Sequence, residues 1–155
     1  MMKSIDDIKP KSVRLILSLP PLALKAQQGT HPAVKQAATK RYREEAYLET
    51  KILMQKVKPF EKKVVIDHTW LCSRNNFEKA MGKDCPKKHR TYKPRDEGNA
   101  ISALKAAIDG IVDAGLIKDD RAACLKWGDF EPLTKQEETQ GRCGVILTIT
   151  EVADA

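Results

Sequence analysis

Residues 99–114 read NAISALKAAIDGIVDA. Ile101, Leu104, Ile108, Ile111 and Val112 recur at steps of three and four, the spacing that lines one side of a helix, and Gly115 follows as a glycine follows a helix end. Upstream, KKVVIDHTWL (62–71) has the β-branched and aromatic content of a strand, and downstream LIKDDRAACLKWGDFEPL holds a turn and a third strand. A helix set between two strands suggests a sheet covered by helices.

The rest of the chain extends that pattern. In VRLILSL (13–19), Val13, Leu15, Leu17 and Leu19 alternate on one face with Ile16 on the other, and Pro20-Pro21 ends the run as proline ends a strand. A loop follows in which Thr30 can cap a helix with Pro32 in its first turn. From 32 to about 55 the residues favour helix, and Val34, Ala38, Tyr42, Ala46, Leu48, Ile52 and Leu53 make a broad, imperfect apolar stripe. The 62–71 strand is expected to be central. Residues 145–152, at the end of GRCGVILTITEV, make the last strand, and the polar TKQEETQG before it reads as a hairpin tip. The expected order is β-α-β-α-β-β, an α/β (α+β) fold with a small mixed four-stranded sheet and two helices on one face.

At 155 residues the chain suits one domain, 1–155, with a basic insertion at 72–94 that is too long and aperiodic for an ordinary loop. No apolar run approaches the ~20 residues of a membrane span, and MMKSIDDIKPKS lacks the apolar core of a secretory signal. A cytoplasmic location with no membrane partner is expected. Cys72, Cys85, Cys124 and Cys143 show no C-x-x-C spacing, so disulfides are not expected there. The net charge of +7 and pI near 9.2 argue for a polyanionic partner, with nucleic acid first among them.

Two acidic pairs flank the 99–114 helix. Asp96 and Glu97 precede it in RDEGN, directly behind the cations of KKHRTYKPR, and Asp119 and Asp120 follow it in AGLIKDDR. Carboxylates among cations are what a phosphodiesterase needs, since they hold Mg²⁺ while lysines and arginines hold the DNA. The same acids would equally complement a helix dipole or occupy an ordinary turn. On the first helix, Lys35, Lys40, Arg41 and Arg43 would follow a phosphate backbone or form a solvated face paired with Glu44 and Glu45.

RDEGNAISALKAAIDGIVDAGLIKDDR (95–121) resembles the core signature of the RusA-type Holliday junction resolvases of bacteria and phages. In that family an arginine and an Asp-x-Asp-Asn element precede a helix carrying lysine, followed by AG and DD. THPAVKQAATKRYREEA resembles the family's early helix, in which a histidine begins a basic segment ending in YR, and GVILTITE resembles its last strand. The resemblance implies a homodimeric, Mg²⁺-dependent endonuclease, Mn²⁺ being an alternative metal, that cuts four-way DNA junctions symmetrically. It implies metal ligation by Asp96 and Asp120, a catalytic Lys105, and DNA contacts from Asn99 and from His31 at the head of the basic helix. Gly98 stands where the family has its second aspartate, so Glu97 or Asp119 must supply that ligand, or cleavage is weakened and the chain binds branched DNA without cutting it.

A helix over 99–114 is about 24 Å long, and the residues from Gly115 to Asp120 reach at most roughly 20 Å, less with a turn. One chain therefore struggles to bring Asp96 and Asp120 onto one metal, and two such helices packed antiparallel about a two-fold axis predict shared sites in a homodimer.

The cations of the insertion, Lys87, Lys88, Arg90 and Lys93, and Arg95 just after it are expected on the DNA side with Tyr92 stacking on a base. Cys85 and His89 in C-x3-H beside Cys72 would suit zinc, but ordinary thiols are the preferred reading without a paired C-x-x-C. His68, Trp70 and Trp127 are expected to serve packing.

Overall fold

A computed structural model describes residues 11–20, 32–71, 97–131 and 144–152. The elements run β1 (Ser12–Leu17), α1 (Pro32–Leu53), β2 (Val64–Leu71), α2 (Glu97–Ala114), β3 (Leu125–Glu131) and β4 (Gly144–Glu151). This is the expected four-stranded mixed sheet with two helices. The basic insertion, the Cys85 and His89 pair and the Thr30 cap lie outside the described residues.

Alternation decides which way each strand faces. Val13, Leu15 and Leu17 of β1, Val64, Ile66, His68 and Trp70 of β2, and Val145, Leu147 and Ile149 of β4 are buried in the helix-covered core. Ile16, on the opposite face of β1, is 62% exposed. A period of two thus gives one apolar face and one more open, polar face.

The strand order is β1-β4-β2-β3. β4 lies antiparallel between β1 and β2, and β3 pairs with β2 alone, in parallel. The segment before β4 is therefore not the tip of a β3–β4 hairpin, as the sequence suggested. The reason is burial: Val145, Leu147 and Ile149 are completely buried, which suits an interior strand, whereas Lys126 and Asp129 of β3 are exposed and suit an edge.

Because β1 and β2 both oppose β4, and β3 parallels β2, these three strands share one direction. Each helix links two of them, so α1 and α2 both run back across the sheet side by side. Their closest approach is at Gly110, where an added Cβ would stand 2.3 Å from the Arg43 carbonyl oxygen and 3.0 Å from Ala46 Cβ. Small residues at Ala103, Ala107, Gly110 and Ala114 of α2, and Ala38 and Ala46 of α1, are buried with this crossing. Gly115, with φ of 91°, ends α2 as expected.

The stripe expected on α1 is only partly realised. Ala38, Tyr42, Ala46 and Thr50 are buried, four residues apart, while Val34, Leu48 and Ile52 lie 51%, 60% and 59% exposed. Thr50 takes an inward place because its hydroxyl donates to the Ala46 carbonyl at 2.6 Å, satisfying the polar group within the helix.

Candidate functional site

The chain direction sorts the candidate residues into two poles. At the carboxyl ends of β1, β2 and β3 both helices begin, so this pole carries the basic half of α1 together with Glu97 and Asn99 of α2. Tyr42 donates to the Ser18 carbonyl at 2.8 Å, and Glu45 accepts from Ser18 N–H at 3.0 Å, which sets the end of β1 level with the middle of α1. The turns of α1 before Ala38 project past the sheet, and residues 32–37 are all exposed. Burial raises the Tyr42 pKa well above its usual value, so the phenol stays protonated as a donor.

From this overhang to the α1–α2 crossing, Pro32, Lys35, Gln36, Thr39, Lys40 and Arg43 line a groove of about 490 Å³. They recur at three- and four-residue steps and share one side of the helix. Arg41 is not among them. It lies on the opposite side with Val34, Leu48 and Ile52, at spacings of seven and four, so the basic cluster read from sequence divides between two faces. Arg43 also reaches across to α2, where its Nε and Nη2 donate to Asp113 at 2.6 and 2.9 Å. The bond to Asp113 raises the Arg43 pKa, and the same bond lowers that of Asp113. Sequence reading missed Asp113 because its partner lies 70 residues away. It missed Gln36 and Thr39 too, although helical periodicity sets them beside Lys35 and Lys40.

Glu97 and Gly98 occupy the exposed first turn of α2, with Asn99 half-buried. The Gly98 carbonyl accepts a 3.0 Å bond from the Ser102 hydroxyl. Lys105 is exposed about two turns further along. Asp119 and Asp120 lie at the opposite pole, beyond the far end of α2. The 18 residues of that helix, about 27 Å in length, lie between Glu97 and the Asp119–Asp120 pair. Asp119 is committed locally: one oxygen accepts the Asp120 N–H at 2.7 Å and the other meets Arg121 Nε at 2.6 Å. The Asp120 N–H, foremost, holds the Asp119 carboxyl below its usual pKa. Asp120 itself is exposed.

No family model, curated protein or solved structure matches the chain. Among the described residues no three His, Cys, Asp or Glu side chains converge as a metal site. Asp96, His31, Lys87, Lys88, Arg90, Tyr92, Lys93 and Arg95 lie outside the described residues.

His68 is the other titratable group that stands out. It is fully buried, its Nδ1 accepts from Trp70 Nε1 at 3.1 Å, and its Nε2 has no hydrogen-bond partner. Its ring stacks on Phe130 at 4.9 Å and meets Trp127 edge-on at 5.1 Å. Burial lowers its pKa to about 4, against a weaker upward pull from Asp67. A neutral imidazole in an aromatic nest belongs to the core, in keeping with the packing role expected of His68 and both tryptophans.

Beside it, β3 carries one more residue than β2, because Ile66 pairs with Trp127 but His68 pairs with Phe130. Asp67 accepts the displaced Asp129 N–H at 2.6 Å, and a Cβ on Gly128 would fall 2.0 Å from the Asp67 carboxylate. A larger residue there would displace the Asp67 and Val65 side chains, and with Asp67 the bond to Asp129 N–H.

Proposed function

We infer that this protein is a RusA-like, Mg²⁺-dependent endonuclease that cuts branched DNA as a homodimer. The observation that carries this reading is the separation of the acidic pairs. An 18-residue helix, about 27 Å long, lies between Glu97 and the turn that carries Asp120, which argues against one metal held within a single chain. A second copy packed antiparallel along α2 would set the start of one helix beside the end of the other, giving two equivalent sites. The donor set suits magnesium, since hard carboxylate oxygens are the ligands it favours. Asp96 and Asp120 would hold the ion, with Glu97 replacing the ligand absent at Gly98. Asp119, committed to Asp120 N–H and Arg121, would orient the loop that presents Asp120. Bound magnesium would supply activation of water and charge stabilisation at phosphorus. Lys105, exposed on the same helix, would position the scissile phosphate. The basic overhang of α1 and the cations of 87–95 would bind the DNA backbone, with Tyr92 stacking on a base.

Gly98 favours a second reading, a protein that binds junctions and cuts them poorly. A synthetic four-way junction with Mg²⁺ separates the two. The first expects paired symmetric nicks that fall at least ~100-fold in Asp120→Asn, in line with losing a group that acts on the transition state. Tight binding without nicks, together with a large gain in Gly98→Asp, would establish the second. Neither nicks nor junction binding would reject both.

A further inference from the structure

Arg43 stands in two places at once. It closes one end of the groove whose other cations are Lys35 and Lys40, and it is held by both oxygens of Asp113. Fork-to-carboxylate is also the geometry in which a guanidinium grips a phosphate, so Asp113 occupies the coordination that a nucleic-acid backbone would use. The pair is not buried: the two side chains are 46% and 41% exposed. An ion pair so wet is readily exchanged, because its attraction is screened and contributes little to stability. Asp109, one turn earlier on α2, adds a weaker electrostatic attraction on the same guanidinium.

We propose that Asp113 is a built-in competitor for the phosphate backbone, and that Arg43 exchanges this carboxylate for a DNA phosphate when the α1 groove is occupied. This rests on the nucleic-acid reading given above and adds a regulated contact to it. Before binding, the carboxylate cancels one of the groove's three cations, Lys35, Lys40 and Arg43, and restrains indiscriminate attachment. On binding, the salt bridge that ties α1 to α2 opens, and the freed Asp113 takes up a counterion. Net ion release is consequently smaller than the number of phosphates gripped would suggest.

The exchange is tested by a double-mutant cycle read in binding alone, with the full chain, a fluorescent DNA duplex and a four-way junction, in EDTA so that no cleavage enters. Asp113→Asn is expected to tighten binding several-fold and to steepen the dependence of log affinity on log salt by up to ~0.9, the value of about one more phosphate neutralised. Arg43→Gln is expected to weaken binding and flatten the slope. In the R43Q background, Asp113→Asn should then change nothing, since no guanidinium remains to be released. Equal tightening in both backgrounds would overturn the exchange, leaving only the loss of a negative charge. Weaker binding by Asp113→Asn with a lowered melting temperature would overturn it in favour of a structural clasp. DNA binding with additive effects leaves the nuclease reading standing while rejecting the exchange. Failure of the wild type to bind either DNA, with capture of polyglutamate instead, rejects both and makes the groove a site for acidic protein.

Discussion

His68 shows how a single side chain in the core sets a pH limit on the whole. Its pKa near 4 in the folded chain lies below the value of about 6.5 for an exposed histidine, so the unfolded chain binds more protons between those values. The stabilisation from keeping the ring neutral is present in full above about pH 6.5, and is lost as pH falls through about 4. Denaturant titrations are expected to show stability dropping through that window, with the drop reduced in His68→Leu, which cannot titrate. A wild-type profile identical to that of the variant would mean that the ring is not confined as described. The Trp70 bond to Nδ1 fixes the tautomer, and the stacked Phe130 and edge-on Trp127 leave little room for water to solvate a cation at Nε2.

At the scale of elements, the crossing of α1 and α2 is governed by Gly110. A methyl group added there meets the Arg43 carbonyl, part of a helix backbone that cannot turn aside as a side chain does. Gly110→Ala is expected to destabilise the chain by about 1–3 kcal/mol despite the better helix propensity of alanine, as measured by chemical denaturation. Sequence periodicity revealed α2 and the facing of β1, because alternation and three-to-four spacing report directly on which side is buried. It misjudged α1, since Leu48 and Ile52 carry the chemistry of core residues but lie outside, while Thr50 is inside by satisfying its own hydroxyl. It placed the last strand beside β3, because alternation states which face is apolar and is silent on the neighbouring strand. The candidate site divided likewise. Its cations and acids were visible as residue types, whereas the Arg43–Asp113 bond, spanning 70 positions, depends on how two helices are laid together.

For the whole molecule, the two-pole arrangement makes a prediction that mixing can check. If each metal site takes Asp96 from one copy and Asp120 from the other, Asp96→Asn and Asp120→Asn proteins should each fail to nick a junction alone. Mixed and allowed to exchange subunits, they should regain nicking, because a heterodimer holds one site with both acids and one with neither. Activity should approach half that of a wild-type dimer for every heterodimer formed, and should nick single strands instead of paired ones. If the mixture stays silent while subunit exchange is demonstrated by pulldown of a tagged copy, the sites are built within one chain. The overhanging half of α1 would extend beyond each carboxylate cluster, offering DNA a basic approach on either side of the two-fold axis.

The position of β4 has a consequence for how the chain is made. Among the described strands β1 is made first, yet its hydrogen-bonded neighbour is missing until residues 144–151 have been synthesised, since β4 pairs with it and joins it to β2. The chain must loop back over 138 positions to seat Ser12 against Thr150. Such distant pairing slows folding and leaves Val13, Leu15 and Leu17 without their sheet neighbour until β4 has been made. Closure of the sheet is thus a long-range step that waits on the arrival of β4.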